Sequence, residues 1–334
     1  MRQNRIISSI AGALALLVGS VAAQPSPAQS PPAPGGVIGN AFPPNMAVGG
    51  RTLGLDAICG ECRLEKYSVC TGRVEGPTFD KEGNLWIVGL DTKDIYRVTP
   101  DGVCTSVAKT PGPNGLRFHK DGRLFGTDHA AGLFWMDTRT HDITWITNKF
   151  GDGNFHGAND LIFDKAGGLY FSDARGSGEF VKRGQLFYRT PEGVITRLAD
   201  NLSYPNGLVL SPAEDRLYVA EWGSNRIAAF PIRAPGVIDL ESGWIFTYLN
   251  SGRGPDGMTM DEAGNLYAAH HSAGEVLVFN PRGFLYGAIR MPDDSMVPNN
   301  VQFHDGYLYI TEADQHTVWR VKTRIPGIKH FQDQ

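Results

Sequence analysis

Six residues with oxygen-bearing side chains recur at the start of one repeated apolar strand pattern, at intervals of 39 to 50 residues. They are Glu75, Asn114, Asn159, Asn206, Asp256 and Asn299. Carboxylate and amide oxygens that converge on one point are the ligands that a hard cation prefers. Cys and His, the ligands that would favour zinc or copper, are absent from this position of the repeat. The pattern therefore predicts a calcium site, with Mg²⁺, Mn²⁺ and Zn²⁺ left open as alternative cations.

Turn formation is the simpler interpretation of any one of these residues, because Asn and Asp commonly begin turns at strand ends. It explains six residues in register less well, and Glu75 in the first copy least of all. We therefore interpret the six residues as a ring around a common axis.

The elements that must position this ring repeat along the chain. Each copy has the polar residue, a short apolar strand, a tight turn such as KEGN or KDGR, and a second strand that opens with Leu. A third and a fourth strand follow, and this period fits a four-stranded propeller blade. The sequence thus predicts an all-β fold, a six-bladed β-propeller of four-stranded antiparallel blades. Residues 64–71 are predicted to complete the last blade and close the ring, since that blade ends near Lys322 without a fourth strand.

A second set of polar residues follows four positions after the leading Leu of the second strand. It comprises Asp128, Asp173, Glu221, His270 and Glu312, with Asp91 nearby in the first blade. Such residues either brace neighbouring loops or contact substrate, and the sequence leaves both roles open. His129, His156 and His271 are candidate pocket residues. The substrate-binding residues expected at the mouth are Asn114, Asn299, His156, Asp173 and His271.

The N-terminal segment has the pattern of an export signal. Residues 1–23 combine Arg2 and Arg5 with an apolar run and end in small residues, which is typical of a signal peptide. Residues 24–44 are a Pro-rich linker, and residues 45–334 form the propeller domain. We expect a periplasmic or secreted protein that has no membrane attachment after signal cleavage.

Charge and cysteine content narrow the function classes further. The formal net charge of −4 offers no electrostatic basis for binding nucleic acid or anionic lipid. The four cysteines, Cys59, Cys62, Cys70 and Cys104, predict one or two structural disulfides rather than a redox pair or a zinc site, with their pairing open. The sequence gives no sign of an oligomer interface, so we expect a monomer.

The stretches VEGPTFD, YPNGLVLS and GPDGMTMD resemble the family of senescence marker protein 30, gluconolactonase and related calcium-dependent lactonases, and the resemblance spans about residues 64–323. It implies Glu75, Asn206 and Asp256 as metal ligands and Asn159 as a further ligand or a substrate-facing group. Sugar-lactone members often carry Arg where this chain has Gly157, which leaves recognition of sugar hydroxyls open. Diisopropyl-fluorophosphatase has a similar calcium arrangement.

The expected reaction is hydrolysis of a lactone. A calcium ion would polarise the carbonyl group and stabilise the oxyanion that forms as water adds. Asp256 is expected to act as general base or to orient the water, with Asn159 and Asn206 positioning the substrate oxygen. The alternatives are a related hydrolase of organophosphates or other esters, and a propeller that only binds a ligand. Trp222, Phe155 and Phe180 suggest an apolar or aromatic lactone.

Overall fold

The computed structural model describes residues 54–333, and it confirms the six-bladed propeller. The predicted signal peptide (residues 1–23) and linker (residues 24–44) lie outside the described residues. A short helix, α1 (Leu55–Ile58), precedes the first strand, β1 (Leu64–Val69). No helix within residues 54–333 is long and apolar enough to cross a membrane.

The blades follow one another along the chain, each built of antiparallel strands from the axis outward. The first is β2 (Val74–Phe79), β3 (Leu85–Gly89), β4 (Asp94–Val98) and β5 (Cys104–Lys109). The second is β6 (Pro113–Phe118), β7 (Leu124–Asp128), β8 (Gly132–Met136) and β9 (Ile143–Thr147), followed by a hairpin of β10 (Lys149–Phe150) and β11 (Gly153–Asn154). The third is β12 (Ala158–Phe163), β13 (Leu169–Asp173), β14 (Gly184–Arg189) and β15 (Ile195–Leu202).

The remaining blades repeat this order. The fourth is β16 (Pro205–Leu210), β17 (Arg216–Glu221), β18 (Arg226–Ala234) and β20 (Trp244–Tyr248), with the short β19 (Val237–Ile238) also paired to β18. The fifth is β21 (Gly254–Met260), β22 (Leu266–His271), β23 (Glu275–Phe279) and β24 (Leu285–Arg290). The sixth is β25 (Pro298–His304), β26 (Tyr307–Glu312), β27 (Thr317–Lys322) and β1.

The predicted closure by the N-terminal strand is confirmed. β1 pairs antiparallel with β27, with Leu64 opposite Val321 and Val69 opposite Thr317. A disulfide between Cys70 and Cys104 then joins the end of this segment to the outer strand of the first blade. A cross-link over a loop of this length contributes about 3 to 4 kcal/mol by restricting the unfolded chain. The second disulfide joins Cys59 to Cys62 beside α1.

The core lies between neighbouring blades. Every residue of the inner strands β2, β6, β12, β16 and β21 is buried, whereas the outer strand β5 carries exposed positions. Trp86 and Val88 of the first blade, for example, share one apolar cluster with Leu116 and Phe134 of the second. Each inner strand is therefore covered on both faces, which holds its first residues at the axis.

Glycines directly after four ring residues allow the inner strands to approach closely. A Cβ atom at Gly76 would lie 2.2 Å from the carbonyl oxygen of Asn114, and one at Gly207 would lie 2.4 Å from that of Asp256. The pairing register of all six blades also shifts next to the ring residue. Such irregularities redirect side chains, and they accompany the ring in every blade.

The C-terminal segment crosses the face of the propeller opposite the ring. The backbone N–H of Ile328 donates to Met260 in the fifth blade, and the Gln332 side chain donates to the Phe79 carbonyl in the first (2.8 Å). Phe331 packs against Phe163 of the third blade. The tail thus ties the far ends of three inner strands together.

Candidate active site

All six predicted ring residues line one cavity of about 150 Å³ at the mouth of the propeller. His129 and His271 also line it, as expected from the sequence, and so does Trp222. Sequence reasoning missed the remaining lining residues, which are Arg73, Leu90, Tyr204 and Ala313. Arg73 and Tyr204 each stand two residues before a ring residue. That shared position was a signal that could have identified both.

The floor of the cavity brings together three buried carboxyl groups and one buried guanidinium group. Burial and repulsion from other carboxylates raise the pKa of the Glu75 and Asp256 carboxyls, and burial raises that of Asp160, the residue after Asn159. The buried guanidinium of Arg117 acts on Glu75 and Asp160 and opposes this shift. Three ionised carboxylates and one guanidinium leave two negative charges, the amount that one divalent cation would balance.

Glu75 presents an oxygen atom that the protein leaves without a partner. Its Oε1 accepts a hydrogen bond of 2.6 Å from Asn300 Nδ2, whereas its buried Oε2 has no hydrogen-bond partner in the described part of the chain. A buried polar atom of this kind is costly unless something else binds it. This observation fits a bound cation.

Asn159 is held by a neutral histidine. Its Nδ2 lies 3.3 Å from His129 Nε2, and burial together with the nearby charge of Arg175 lowers the pKa of His129 to about 4. A neutral imidazole nitrogen can accept from the amide N–H, which leaves the carbonyl oxygen of Asn159 free for another partner.

The donor set as a whole fits calcium. Glu75, Asn159, Asn206 and Asp256 can supply carboxylate and amide oxygens, which are the ligands that calcium accepts. Within residues 54–333, no group of three or more His, Cys, Asp or Glu side chains is placed to hold a metal. The oxygens of this site come instead from two carboxylates and from amides.

The two other ring asparagines differ in their availability to a substrate. Asn299 Nδ2 donates to the Val74 carbonyl and its Oδ1 accepts from Thr311, both at 2.7 Å, so its amide is already engaged by the protein. The amide of Asn114 makes no side-chain hydrogen bond with the described residues and faces the cavity. Of these two expected substrate contacts, the geometry favours Asn114.

The second set of polar residues braces the segments that lead into the ring. The Asp173 carboxylate accepts from the backbone N–H groups of His156 (2.9 Å) and Gly157 (2.5 Å), just before Asn159. Carboxylates repeat this arrangement in four other blades, with Asp91 on the N–H of Arg73, Asp128 on Gly112, Glu221 on Ser203 and Glu312 on Val297. In the fifth blade, His270 Nε2 instead donates to the carbonyl oxygen of Ser251 (3.1 Å). The sequence left open whether these residues brace neighbouring loops or contact substrate. The hydrogen bonds observed are the ones expected of loop bracing.

Four residues expected near the substrate lie outside the lining of the cavity. Asp173 is fully buried, and neither it nor His156 belongs to the lining of the cavity, so the structure does not bring these two predicted substrate-binding residues to the ring. Phe155 packs 5.2 Å from the ring of Phe187 in the apolar core. Phe180 is 98 % exposed on the loop after β13. Among the three aromatic residues named from the sequence, Trp222 alone lines the cavity.

The region of the chain that forms the propeller is similar to known proteins. Residues 74–314 match a family described as SMP-30/Gluconolactonase/LRE-like region. A lactonase drp35 of Staphylococcus saprophyticus is 34 % identical over 230 residues, which is 66 % of this chain and 70 % of that protein.

Solved structures agree with the architecture. A gluconolactonase from Xanthomonas campestris superposes with a TM-score of 0.71 at 25 % identity, over 80 % of this chain and 92 % of that one. Regucalcin from Agrobacterium tumefaciens, described as a calcium-binding protein, gives a TM-score of 0.66 at 20 % identity, over 79 % and 97 %. The second likeness shows the fold alone.

Proposed function

The chain belongs to the SMP-30/gluconolactonase/LRE-like family, and on that premise we propose that it is a calcium-dependent lactonase acting at the cavity of the ring residues. The observation that carries the proposal is the buried pair of carboxylates, Glu75 and Asp256, among amide oxygens on one axis. The names of the relatives support the reaction class, since one is a lactonase and another a gluconolactonase.

Glu75, Asn159, Asn206 and Asp256 would hold the calcium ion. When bound, the ion would polarise the lactone carbonyl and offset the charge that develops on its oxygen. Asn300 fixes the Glu75 carboxylate, and His129 fixes the Asn159 amide. These contacts orient two of the four side chains before a substrate arrives.

Asp256 is the group in this cavity best suited to take a proton. Its carboxylate lines the cavity, and burial together with the nearby carboxyls of Glu75 and Asp160 raises its pKa in the calcium-free protein. A carboxylate at this place can accept a proton from an attacking water molecule. The attacking water loses a proton to Asp256 as its oxygen bonds to the carbonyl carbon. The ring C–O bond then breaks, and the leaving alkoxide takes up the same proton from Asp256, which gives the hydroxy acid and regenerates the carboxylate. Asn114 faces the same cavity and positions the substrate.

Acid release from a panel of lactones is the direct test. Aldonolactones, simple γ-lactones and dihydrocoumarin are incubated with the purified protein, with and without a calcium chelator. We expect hydrolysis of at least one member, its loss with the chelator, and its return when calcium is added back. Calorimetric titration of the chelated protein with calcium shows in parallel whether the cation binds.

The same experiment separates the alternatives. Hydrolysis that persists in the chelator would exclude calcium dependence. Bound calcium with no hydrolysis of any lactone would contradict the proposal, and cleavage of an organophosphate ester by the same sample would then assign the phosphorus electrophile.

We also propose that the protein is exported, because both cysteine pairs form disulfides and such bonds persist in oxidising compartments. The apolar N-terminal segment supports the same conclusion. The expected mature chain begins at Gln24, and its intact mass should fall by four hydrogen atoms relative to the reduced chain. A protein that keeps residues 1–23 and carries free thiols would contradict export.

A further inference from the structure

Three arginines lie at the cavity or next to residues of the ring segments and of the lining, and we refer to Arg73, Arg175 and Arg253 as the arginine rim. Arg73 lines the cavity itself. The guanidinium of Arg253 lies 5.8 Å from the ring centre of Trp222, which also lines the cavity. Arg175 is the second residue after β13 and lies beside Gly157, in the segment that leads into Asn159.

Gly157 determines the position of Arg175. A Cβ atom at Gly157 would lie 2.5 Å from Cβ, 3.1 Å from Cδ and 3.3 Å from Cγ of Arg175. The arginine stem therefore crosses the space that any larger residue at 157 would fill. The backbone N–H of Ala174 also donates to the Gly157 carbonyl (3.1 Å). This bond holds the backbone next to Arg175 against Gly157, which stands two residues before the proposed ligand Asn159.

Most of the charge of the rim is not neutralised by the protein. Arg73 pairs with Asp314 at 3.2 Å, but Arg175 and Arg253 form no ion pair with any residue in the range 54–333. Glu179, an acidic residue on the Arg175 loop, is itself 3.8 Å from Lys182. With a divalent cation bound, the buried floor would be neutral, and the guanidinium groups of Arg175 and Arg253 remain without an ion-pair partner among the described residues.

The charges of the rim act on the cavity. Burial and the positive charges of Arg73 and Arg253 lower the pKa of His271 to about 4, and the Asp314 carboxylate opposes this shift. His271 lines the cavity. A ligand in the cavity would therefore lie within the electrostatic range of these two arginines.

We propose that the arginine rim recognises an anionic substituent, so that the substrates of this enzyme are lactones that carry a carboxylate or a phosphate group. Arginine binds either group through paired, charge-assisted hydrogen bonds. The inference rests on the proposed lactonase function and names its substrate class. It replaces the apolar lactone suggested by the sequence, because only Trp222 of the three aromatic residues reaches the cavity.

The test compares gluconolactone with glucarolactone of the same ring size, which differ by a hydroxymethyl and a carboxylate group. We expect kcat/KM to be at least about tenfold higher for glucarolactone at low ionic strength, and the preference to shrink in high salt. Arg175→Gln should lower kcat/KM for glucarolactone by about 10-fold to 100-fold more than kcat/KM for gluconolactone, as loss of a charge-assisted hydrogen bond predicts. Arg183→Gln, an exposed arginine at the other end of the same loop, is the matched control.

Further arms identify the anion and keep the inference testable without turnover. If the enzyme prefers the phosphate ester of gluconolactone to glucarolactone, the anionic group that the rim recognises is a phosphate rather than a carboxylate. Calorimetry with the products should show glucarate binding more tightly than gluconate in the wild type but not in Arg175→Gln. Equal use of the two lactones, or an equal loss for both in Arg175→Gln, would overturn the inference. Failure to hydrolyse any lactone would contradict the lactonase function, and the binding comparison would still decide the role of the rim.

Discussion

Glu75→Gln should weaken calcium binding by about 100-fold to 1,000-fold, as expected when one partner of a buried charge interaction is removed. It should also make the calcium-free protein more stable than the calcium-free wild type. The substitution removes one of the two carboxylates that line the cavity and the charge on the unpartnered Oε2 atom, while Gln can still accept the hydrogen bond from Asn300.

The stability effect has a definite sign. Burial raises the pKa of Glu75 in the folded chain above its ordinary value of 4.5. Without calcium, the folded state therefore binds a proton that the unfolded state has lost, and the contribution of this group to stability falls as pH rises from 4.5 through the raised pKa. Calcium reverses the effect by binding the ionised form.

Thermal unfolding at neutral pH, with and without calcium, measures both effects in one experiment. The unfolding temperature of the wild type should rise on addition of calcium. The unfolding temperature of Glu75→Gln should be higher than that of the wild type without calcium and should rise little when calcium is added. Glu82→Gln, an exposed glutamate in the turn of the same blade, should behave as the wild type does. A Glu75→Gln protein that is stabilised by calcium as strongly as the wild type would remove Glu75 from the ligand set.

Asp256→Asn should lower kcat by about 100-fold to 10,000-fold, which is the usual contribution of a general base. Asparagine keeps a side-chain oxygen for a cation but cannot take a proton from water. The loss should therefore remain when calcium is raised to saturation, and the variant should still bind the ion with reduced affinity. This behaviour distinguishes the base from a residue that acts only as a ligand.

Turnover measured at saturating calcium, with occupancy verified by titration, checks this prediction. Asp152→Asn, at an exposed aspartate in the hairpin before the third blade, provides the control. Full turnover in Asp256→Asn with calcium bound would assign the base elsewhere. Loss of turnover that calcium restores would leave Asp256 as a ligand alone.

The architecture and the ring could be predicted from the sequence because both depend on local order. Each blade is formed by consecutive hairpins, so its strands, turns and ring residue recur in one short stretch of chain. The last of the six copies lacks a fourth strand in the sequence, and this gap predicted the pairing of β1 with β27, since a propeller must close its edge.

The roles of individual polar residues depended on contacts between distant parts of the chain. Asn300 and Glu75 are 225 positions apart, yet their hydrogen bond leaves one carboxylate oxygen unpartnered. Asn299 resembles Asn114 in the sequence, but Val74 and Thr311 engage its amide. A repeat pattern specifies which side chains face the axis. It carries no information about which of these side chains will form hydrogen bonds with residues of another blade.

The charge of the site was likewise decided by tertiary structure. The sequence indicated two carboxylates at the ring, whereas the fold adds Asp160 and Arg117 beneath them and the three arginines of the rim. The sequence determined the propeller and the oxygen ring because their signals are periodic along the chain. Only the packing of the blades around one axis determined which charges are buried together, because electrostatic interaction depends on distance in space and not on separation in sequence.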